Sequence, residues 1–400
     1  MSDMPWLTLI GLGEDGTEGL SPASQAALSE ADVIMGPPRH LNLLPDDGKT
    51  RRISWPVPFA DGIPELLRLR GTPVAVLASG DPFWFGAGSV ITRDLQAHEW
   101  CAFPGPSSFS LTTARMGWPL EQTTCFGLHA APFSRLRPHL APDARLIVLL
   151  RDGQAVHDLG AYLTNQGLGD SALTVFEALG GPRENRTDTR ADALSKHAFS
   201  HPVCVALTVM GKGRALPKTS GLPDDFFDHD GQITKAPMRA VTLSALAPRK
   251  YERLWDIGSG SGSIAIEWLL SDPTTEAIAI EAQSDGAERI RTNANTLGVD
   301  RLQVITGTAP EALGDLPAPD AVFIGGGLSE ALLQHLQETL LPGTRLVANA
   351  VTLEAEALLT YWQAKLGGTL LRVELSRAGP LGAKRGWQTA YPVVQWSVTL

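Results

Sequence analysis

The chain has 400 residues, of which 43% are hydrophobic and 19% charged, a balance that is typical of globular proteins and sufficient for two domains. Its net charge of -10 divides evenly, because residues 1–212 hold 17 Lys+Arg against 22 Asp+Glu and the remainder holds 16 against 21. Neither half has the basic excess that binding to nucleic acid requires, so DNA and RNA are excluded as main partners.

Cysteine usage and hydropathy predict a cytoplasmic protein. Cys101, Cys125 and Cys204 are odd in number, and no two of them stand at metal-ligand spacing. We therefore expect reduced thiols and no metal site. The first residues lack the basic and apolar regions of a signal peptide, and no apolar run reaches the roughly 18 residues of a membrane span.

The first half of the chain alternates strand and helix patterns, which predicts an α/β domain. Ser21 followed by Pro22 predicts the start of a helix that runs through Glu30. Further helices are expected to open at residues 107–108 and to cover residues 154–166. Apolar runs predict strands at residues 6–10, 32–35, 73–78, 99–103, 145–150, 172–176 and 202–209.

Three turn motifs follow predicted strands in this half: GLGEDG at 11–16, ASGDPFWFG at 78–86 and PGPSS at 104–108. Ligands of α/β folds gather at the carboxyl ends of strands. The three motifs, with EALGGPRE at 177–184 downstream, resemble the tetrapyrrole methylase family, which has two α/β subdomains and binds S-adenosylmethionine (SAM). Glu14 stands where the family usually has Pro, a departure that leaves the fold assignment unchanged.

This resemblance implies a set of cofactor-binding residues in the first half. For His129, in the segment FGLHA, a place in the core or at a cap is the alternative interpretation. The implied residues are Gly11, Gly13, Ser79, Gly80, Asp81, Pro82, Ser107, Ser108 and His129.

Residues 213–231 differ in character from the sequence on either side, since Gly, Pro and charged residues replace the apolar pattern. This predicts a linker between a domain of residues 1–212 and a domain of residues 232–400. Five residues of the stretch could suggest a metal site, but an acidic, solvated linker is the preferred interpretation. They are Asp224, Asp225, Asp228, His229 and Asp230.

LWDIGSGSGSIAIE, at residues 254–267, combines a strand, a glycine turn and the start of a helix, with serines on either side of Gly262 available as caps. A dinucleotide fingerprint has a third glycine where Ser263 stands, so the spacing counts against NAD. Asp256 suits a cationic ligand better than a phosphate. The pattern resembles motif I of the class I SAM-dependent methyltransferases. That resemblance implies cofactor contacts from Asp256, Gly258, Ser259, Gly260 and Gly262.

The second half continues with regularly alternating elements. Seven strands are predicted at residues 254–257, 276–280, 302–306, 321–324, 344–348, 369–375 and 391–398, with a helix before the first strand and helices at 284–297, 329–340 and 353–365. A closing pair of strands, the last inserted antiparallel, suits the Rossmann-like sheet of class I methyltransferases.

Three further positions follow strands in this half. Glu281 ends the second strand, where an acidic side chain can accept hydrogen bonds from both ribose hydroxyls. Thr308 and Ala309 follow the third strand, where this fold holds adenine. Gly325 opens the sequence GGG after the fourth strand, where many amine methyltransferases carry an Asp/Asn-Pro-Pro-aromatic motif. The presence of three glycines in place of that motif favours a carbon acceptor in a large, flat substrate.

ITKAPMR (233–239), DIGSGSGSIAIE (256–267), FIGGG (323–327) and VANAVTLE (347–354) together resemble the decarboxylating corrin-pathway methyltransferases of cobalamin biosynthesis. With the tetrapyrrole methylase half in front, the chain resembles the fused, two-domain members of this pathway. The resemblance implies C-methylation of a precorrin at C5 by the first half. It implies C15 methylation and decarboxylation of the ring C acetate by the second, one SAM per domain, and a homo-oligomer.

A substrate with many carboxylates needs basic side chains to hold it. Lys235 and Arg239, in ITKAPMR, are the first candidates. Lys384 and Arg385 in the second half, and Arg39 and Arg115 in the first, are further candidates; for each, a solvated surface charge is the alternative.

Two other functions stay open on the sequence. One is a SAM-dependent methyltransferase that acts on another polycarboxylate, tetrapyrrole or amine. The other is a SAM-binding protein with only one active half. Intact glycines in both turns, together with Glu281, disfavour the second alternative.

Overall fold

The computed structural model describes residues 5–46 and 48–400, and these divide into two compact units. One unit comprises the chain through Pro132 together with Ala141–Arg214, and the other comprises Phe133–Leu140 together with Ala215–Leu400. Both are built from alternating strands and helices, so the predicted α/β class is confirmed. The sequence did not predict that Phe133–Leu140 would group with the second unit.

The first sheet of the first unit is fully parallel. Its strands are β1 Leu7–Leu12, β2 Val33–Gly36, β3 Arg51–Ser54, β4 Val74–Ser79 and β5 Trp100–Phe103, with helices α1 Pro22–Ser29, α2 Pro38–Leu41, α3 Gly62–Leu67, α4 Gly88–Ile91 and α5 Ser108–Met116. The strand order is β3-β2-β4-β1-β5. As predicted, Ser21 caps α1, because its hydroxyl accepts the backbone N–H of Ser24 at 3.1 Å and Pro22 needs no N–H partner.

The second sheet of this unit is mixed. Its elements are β6 Thr124–Gly127, β7 Arg145–Leu150, α6 Gly153–Asn165, β8 Ala172–Glu177, β9 Asn185–Arg190 and β10 Val203–Thr208. In the order β6-β7-β10-β8-β9, the neighbours β6 and β7 pair in parallel and the other neighbouring strands pair antiparallel. The sequence did not predict β9, because its run NRTDTR is polar throughout. It forms an edge strand, and such strands tolerate charged side chains.

The second unit contains one large sheet and one hairpin. Its elements are α7 Ala236–Leu246, β11 Arg253–Ile257, α8 Ser263–Ser271, β12 Glu276–Glu281, α9 Ser284–Thr296, β13 Gln303–Thr306, β14 Ala321–Ile324, α10 Glu330–Thr339, β15 Arg345–Ala350, α11 Leu353–Leu366, β16 Thr369–Val373, β17 Ser376–Leu381, β18 Lys384–Thr389 and β19 Val393–Thr399. The large sheet has the order β13-β12-β11-β14-β15-β19-β16. Its first five strands are parallel, and β19 lies antiparallel between β15 and β16. The chain between β16 and β19, where the sequence predicted no strand between residues 375 and 391, forms the separate hairpin β17–β18.

Residues 213–231 differ from the predicted solvated linker. Leu216, Leu222 and Phe227 are buried in the core of the second unit, against the apolar faces of α7 and α8. Their apolar area stabilises the unit in proportion to its burial. Their burial was not predicted, because the Gly, Pro and Asp residues around these three positions give the stretch the composition of a linker.

In the described part of the chain, no helix combines the length and the hydropathy needed to cross a membrane.

Candidate functional site

In the first unit, the three predicted turn motifs meet at the carboxyl ends of β1, β4 and β5. The backbone N–H of Gly80 donates to Leu12 O at 3.1 Å, and that of Gly105 donates to Gly80 O at 3.0 Å. A Cβ on Gly11 would lie 1.8 Å from Gly80 O, so glycine is required there by the packing of the turns. The three motifs therefore stabilise one another through backbone contacts that need no ligand.

A cavity of about 520 Å³ opens beside these turns, a volume that suits a small-molecule ligand. Gly11 and Pro82 lie outside its lining; Pro82 O instead accepts the N–H of Gly88 at 2.7 Å. Ser107 also caps α5, where its hydroxyl accepts the Ser110 N–H at 3.1 Å. The predicted residues that line the cavity are Gly13, Ser79, Gly80, Asp81, Ser107, Ser108 and His129.

Aromatic side chains, which were not among the residues predicted from the sequence, form part of the cavity wall. Trp55 and Phe59 stack with ring centroids 4.7 Å apart. Trp84 and Phe85 both pack on Phe109, at 5.0 and 5.7 Å. Such a wall fits a flat, conjugated ligand. For Trp84 and Phe85, the available signal was the run of three aromatic residues in ASGDPFWFG.

Three histidines also line the cavity, and burial lowers the pKa of each. Burial, followed by the charge of Arg39, lowers the pKa of His40 to about 3. The pKa values of His129 and His201 are lowered from the ordinary value, again mainly by burial. The three imidazoles are therefore neutral at neutral pH.

The two basic candidates of this unit differ in their surroundings. Arg39 lines the cavity and donates from Nη2 to Ser79 Oγ at 2.9 Å; the same nitrogen lies 2.7 Å from His40 Nε2. Arg115 forms a bidentate pair with Glu184, at 2.7 and 2.9 Å, which raises the pKa of its guanidinium. The carboxylate of Glu184 therefore neutralises the charge of Arg115.

In the second unit, two glycine turns contact each other at the ends of β11 and β14. The N–H of Gly258 donates to Ile280 O at 2.9 Å, and that of Gly325 donates to Ile257 O at 2.9 Å. Gly258 has φ +68°, and a Cβ there would lie 2.5 Å from the Cα of Gly326. Only glycine meets both requirements.

Asp256 lies buried beneath this turn, and its carboxylate caps α8. Oδ2 accepts the Ser259 hydroxyl at 2.7 Å and the Ala265 N–H at 3.1 Å. The predicted serine cap is wrong, because the N-cap residue is Gly262 and makes no side-chain bond. Burial raises the pKa of Asp256 to about 6, with a smaller contribution from the charge of Glu281. Oδ1 has no hydrogen-bond partner among the described residues, which fits a ligand that donates or carries positive charge.

Glu281 joins the second strand end to the glycine turn. Its Oε2 accepts the Gly260 N–H at 2.9 Å, and its Oε1 accepts the Gln283 N–H at 3.0 Å. The structure therefore brings Glu281 and the glycine turn together. Thr308 and Ala309 follow β13, with Thr308 exposed and its hydroxyl 3.5 Å from a Glu311 oxygen.

Of the basic candidates in the second unit, Lys235 is the N-cap residue of α7 and is exposed, with Nζ 3.5 Å from Gly231 O. Lys384 and Arg385 are exposed on β18. The structure corrects the prediction for Arg239, which is fully buried.

Arg239 has its donors occupied inside the protein. Its Nε lies 2.5 Å from Glu267 Oε1, its Nη1 donates to Thr234 O, and its Nη2 donates to Leu222 O and Asp224. Arg239 therefore anchors the segment that precedes α7 and does not reach a substrate carboxylate.

Two acidic residues of the predicted linker also bond to groups within the protein. Asp224 Oδ1 accepts the N–H of Ala236 at 2.9 Å, and Asp230 pairs with Arg289 at 2.9 Å. Among the described residues no group of three or more His, Cys, Asp or Glu side chains is arranged to hold a metal ion.

Comparison with known proteins assigns both units. Residues 6–195 match the family described as Tetrapyrrole (Corrin/Porphyrin) Methylases, and residues 225–400 match the one described as Precorrin methyltransferase domain. A precorrin-6Y C(5,15)-methyltransferase [decarboxylating] from Sinorhizobium sp is 48% identical over 399 residues, which are 99% of this chain and 96% of that protein. The chain belongs to the precorrin-6Y C5,15-methyltransferase (decarboxylating) family.

Two further proteins are similar. A family member from Mycobacterium tuberculosis (strain CDC 1551 / Oshkosh) is 40% identical over 398 residues, 98% of this chain and 99% of that protein. The solved C-terminal domain of precorrin-6Y C5,15-methyltransferase from Rhodobacter capsulatus is 54% identical, with a TM-score of 0.45, and the match covers 46% of this chain and 100% of that one.

Membership in the precorrin-6Y C5,15-methyltransferase family confirms the predicted family and the prediction of an enzyme. The tetrapyrrole methylase and precorrin methyltransferase domains imply that it uses SAM as methyl donor.

Proposed function

We propose that the chain methylates a precorrin at C5 and C15 and removes CO2 from the acetate side chain on ring C, within cobalamin biosynthesis. The first unit carries out C5 methylation, and the second carries out C15 methylation and decarboxylation. One observation supports two separate methyl-transfer sites above the others: each unit has its own glycine turns at the carboxyl ends of parallel strands, with polar side chains directed to them. In the family matches, the tetrapyrrole methylase domain precedes the precorrin methyltransferase domain.

We further propose one SAM per unit. The two sheets of the first unit correspond to the two subdomains of the tetrapyrrole methylase fold, and the seven-stranded sheet corresponds to the class I methyltransferase fold. In the second unit, the free Oδ1 of Asp256 and the carboxylate of Glu281 suit the ammonium and ribose groups of SAM. In the first, the cavity beside Gly13 and Ser79 has a suitable volume. When bound, SAM supplies a methyl group on a positively charged sulfonium.

The chain's own residues supply alignment and exclusion of water. A tetrapyrrole carbon is electron-rich, so correct positioning and desolvation provide most of the catalysis. Residues 325–327 have no side chains, which lets a flat macrocycle approach the turn after β14. Lys235, Lys384 and Arg385 in the second unit, and Arg39 in the first, are proposed to bind substrate carboxylates.

We also propose a cytoplasmic, homo-oligomeric enzyme. The three free cysteines support a reducing compartment. The exposed hairpin β17–β18, with Trp387 78% exposed, supports a surface for association.

The proposed function is tested by incubation of the full chain with its precorrin substrate and isotopically labelled SAM. Mass spectrometry then counts the methyl groups added and the CO2 lost. We expect two methyl groups and one CO2 per substrate molecule. Calorimetry should give two SAM per chain. One SAM per chain, or one methyl group, would contradict the proposal that both units are active.

A further inference from the structure

Glu14 is an acidic residue in the wall of the first unit's cavity. It follows Gly13 in the turn after β1, at the position where tetrapyrrole methylases usually have Pro, and only 7% of it is exposed. A buried carboxylate is costly unless charged or hydrogen-bonding groups compensate for it. The partners of Glu14 therefore indicate what this departure from the usual turn achieves.

Two arginines from different elements share the Glu14 carboxylate. Arg39, on α2, pairs with Oε1, and Arg183, in the loop between β8 and β9, pairs with Oε2 at 3.1 Å. The two guanidiniums are near enough for the charge of Arg183 to lower the pKa of Arg39, in addition to the larger effect of burial. Two positive charges and one negative charge leave a surplus of +1, which favours an additional anion.

The two arginines differ in the donors that they have left. Arg39 also bonds to Ser79 and His40, and its side chain is 28% exposed. Among the described residues Arg183 makes one side-chain bond, to Glu14, and its side chain is 66% exposed. A guanidinium has five N–H donors in a planar fork that matches a carboxylate. Arg183 is thus the member of the cluster with donors to offer.

The backbone that carries Arg183 is fixed against Glu14. A Cβ on Gly181 would lie 2.5 Å from the Cβ of Glu14, so the loop packs directly on the turn. The N–H of Gly180 also donates to Glu184 at 2.8 Å, which holds the loop from its other end. Arg183 is therefore an exposed charge on a supported loop, with Glu14 setting the direction of its guanidinium.

We propose that Arg183 binds a carboxylate side chain of the tetrapyrrole at the first unit, and that Glu14 is its positioning residue. This deepens the proposed function and rests on it. A carboxylate could also come from the methionine part of SAM. The substrate is the better match, because Arg183 lies outside the lining of the cavity and faces solvent, where the side chains of a large macrocycle extend.

The test uses steady-state kinetics of C5 methylation by the full chain at saturating SAM. Arg183→Ala is expected to raise KM for the precorrin roughly ten- to a hundredfold, the range for a lost charge-assisted hydrogen bond, with kcat within about twofold. Arg183→Lys should recover part of this effect. Glu14→Gln should raise KM severalfold without changing kcat, because it replaces the ion pair that orients the Arg183 guanidinium with a weaker, neutral hydrogen bond. Arg190→Ala is the control, since Arg190 is exposed and pairs with Asp192.

Calorimetry of SAM binding separates the two carboxylate sources. The proposal requires unchanged SAM affinity in Arg183→Ala; weaker SAM binding with an unchanged KM for the precorrin would overturn it. An unchanged KM in Arg183→Ala, with wild-type C5 methylation intact, would also overturn it and leave the proposed function standing. Absence of C5 methylation by the wild type would overturn both.

Discussion

Asp256 Oδ2 accepts the backbone N–H of Ala265 at 3.1 Å, and this bond joins the end of β11 to the first turn of α8. The carboxylate thus takes the role that a serine cap usually has, from within the strand. Its second oxygen stays without a partner among the described residues. Asp256 consequently links the stability of the second unit to its proposed ligand site, through one ionisable group.

Asp256→Asn should make the stability of the second unit less dependent on pH. The pKa of Asp256 is about 6 in the folded protein, above the value of about 3.9 for an unfolded chain. Between these values the folded state retains a proton that the unfolded state releases, so the stability from this carboxyl falls as pH rises from about 4 to about 6. The full change is about 3 kcal/mol.

Urea unfolding at several pH values between 4 and 8 measures this effect. The free energy of unfolding of Asp256→Asn, relative to wild type, should increase through the window and stay constant above it. Asp285→Asn, at an exposed position on α9, is the matched control. A difference between Asp256→Asn and wild type that did not vary with pH would contradict the assignment.

The same residues illustrate what the sequence could predict. Glycine spacing predicts the turn after β11, and Asp256 and Glu281 both bond to groups of that turn or of the helix that follows it, because these residues are fixed by local turn geometry. The cap of α8 could not be predicted, since two serines and a buried aspartate all suit the role and only packing decides among them. The prediction for Arg239 was wrong for a related reason. The sequence does not show whether a basic side chain in a motif faces solvent or a buried partner such as Glu267.

Glu281→Gln should weaken SAM binding at the second unit. The carboxylate accepts the Gly260 N–H and is proposed to accept the ribose hydroxyls of SAM, and an amide removes the charge and one acceptor. The loss of a hydrogen bond to a charged group predicts affinity roughly ten- to a hundredfold lower. Mass spectrometry should show less C15 methylation and decarboxylation, with C5 methylation preserved. Glu288→Gln, on the exposed face of α9, should resemble wild type; equal loss in both variants would argue against a specific role.

Arg239→Met should destabilise the second unit strongly. Glu267 is buried, and burial raises its pKa, with Arg239 as the main opposing influence. Removal of the guanidinium leaves the buried Glu267 carboxylate without its charge partner, although the N–H groups of Gly221 and Leu222 still donate to it. The Leu222 carbonyl loses its donor as well, and the expected cost is about 3–5 kcal/mol in the free energy of unfolding.

The double variant Arg239→Met with Glu267→Gln distinguishes this explanation from a simple packing defect. The neutral amide removes the uncompensated charge and keeps an acceptor for the N–H groups of Gly221 and Leu222, so it should recover part of the lost stability. Arg249→Met, at an exposed arginine near the end of α7, is the control. If the double variant were as unstable as Arg239→Met, packing and not the uncompensated charge would be the cause.

Gly11→Ala should impair the first unit alone. Its Cβ would overlap Gly80 O and the backbone nitrogen of Gly105, so the turns must separate, at a cost of about 1–3 kcal/mol. C5 methylation should fall at least tenfold, since the turns line the cavity, while C15 methylation should remain. Gly314→Ala, where a Cβ meets open space, is the control. Because each unit has its own core and its own glycine turns, parallel loss of both methylations would mean that the units do not act independently.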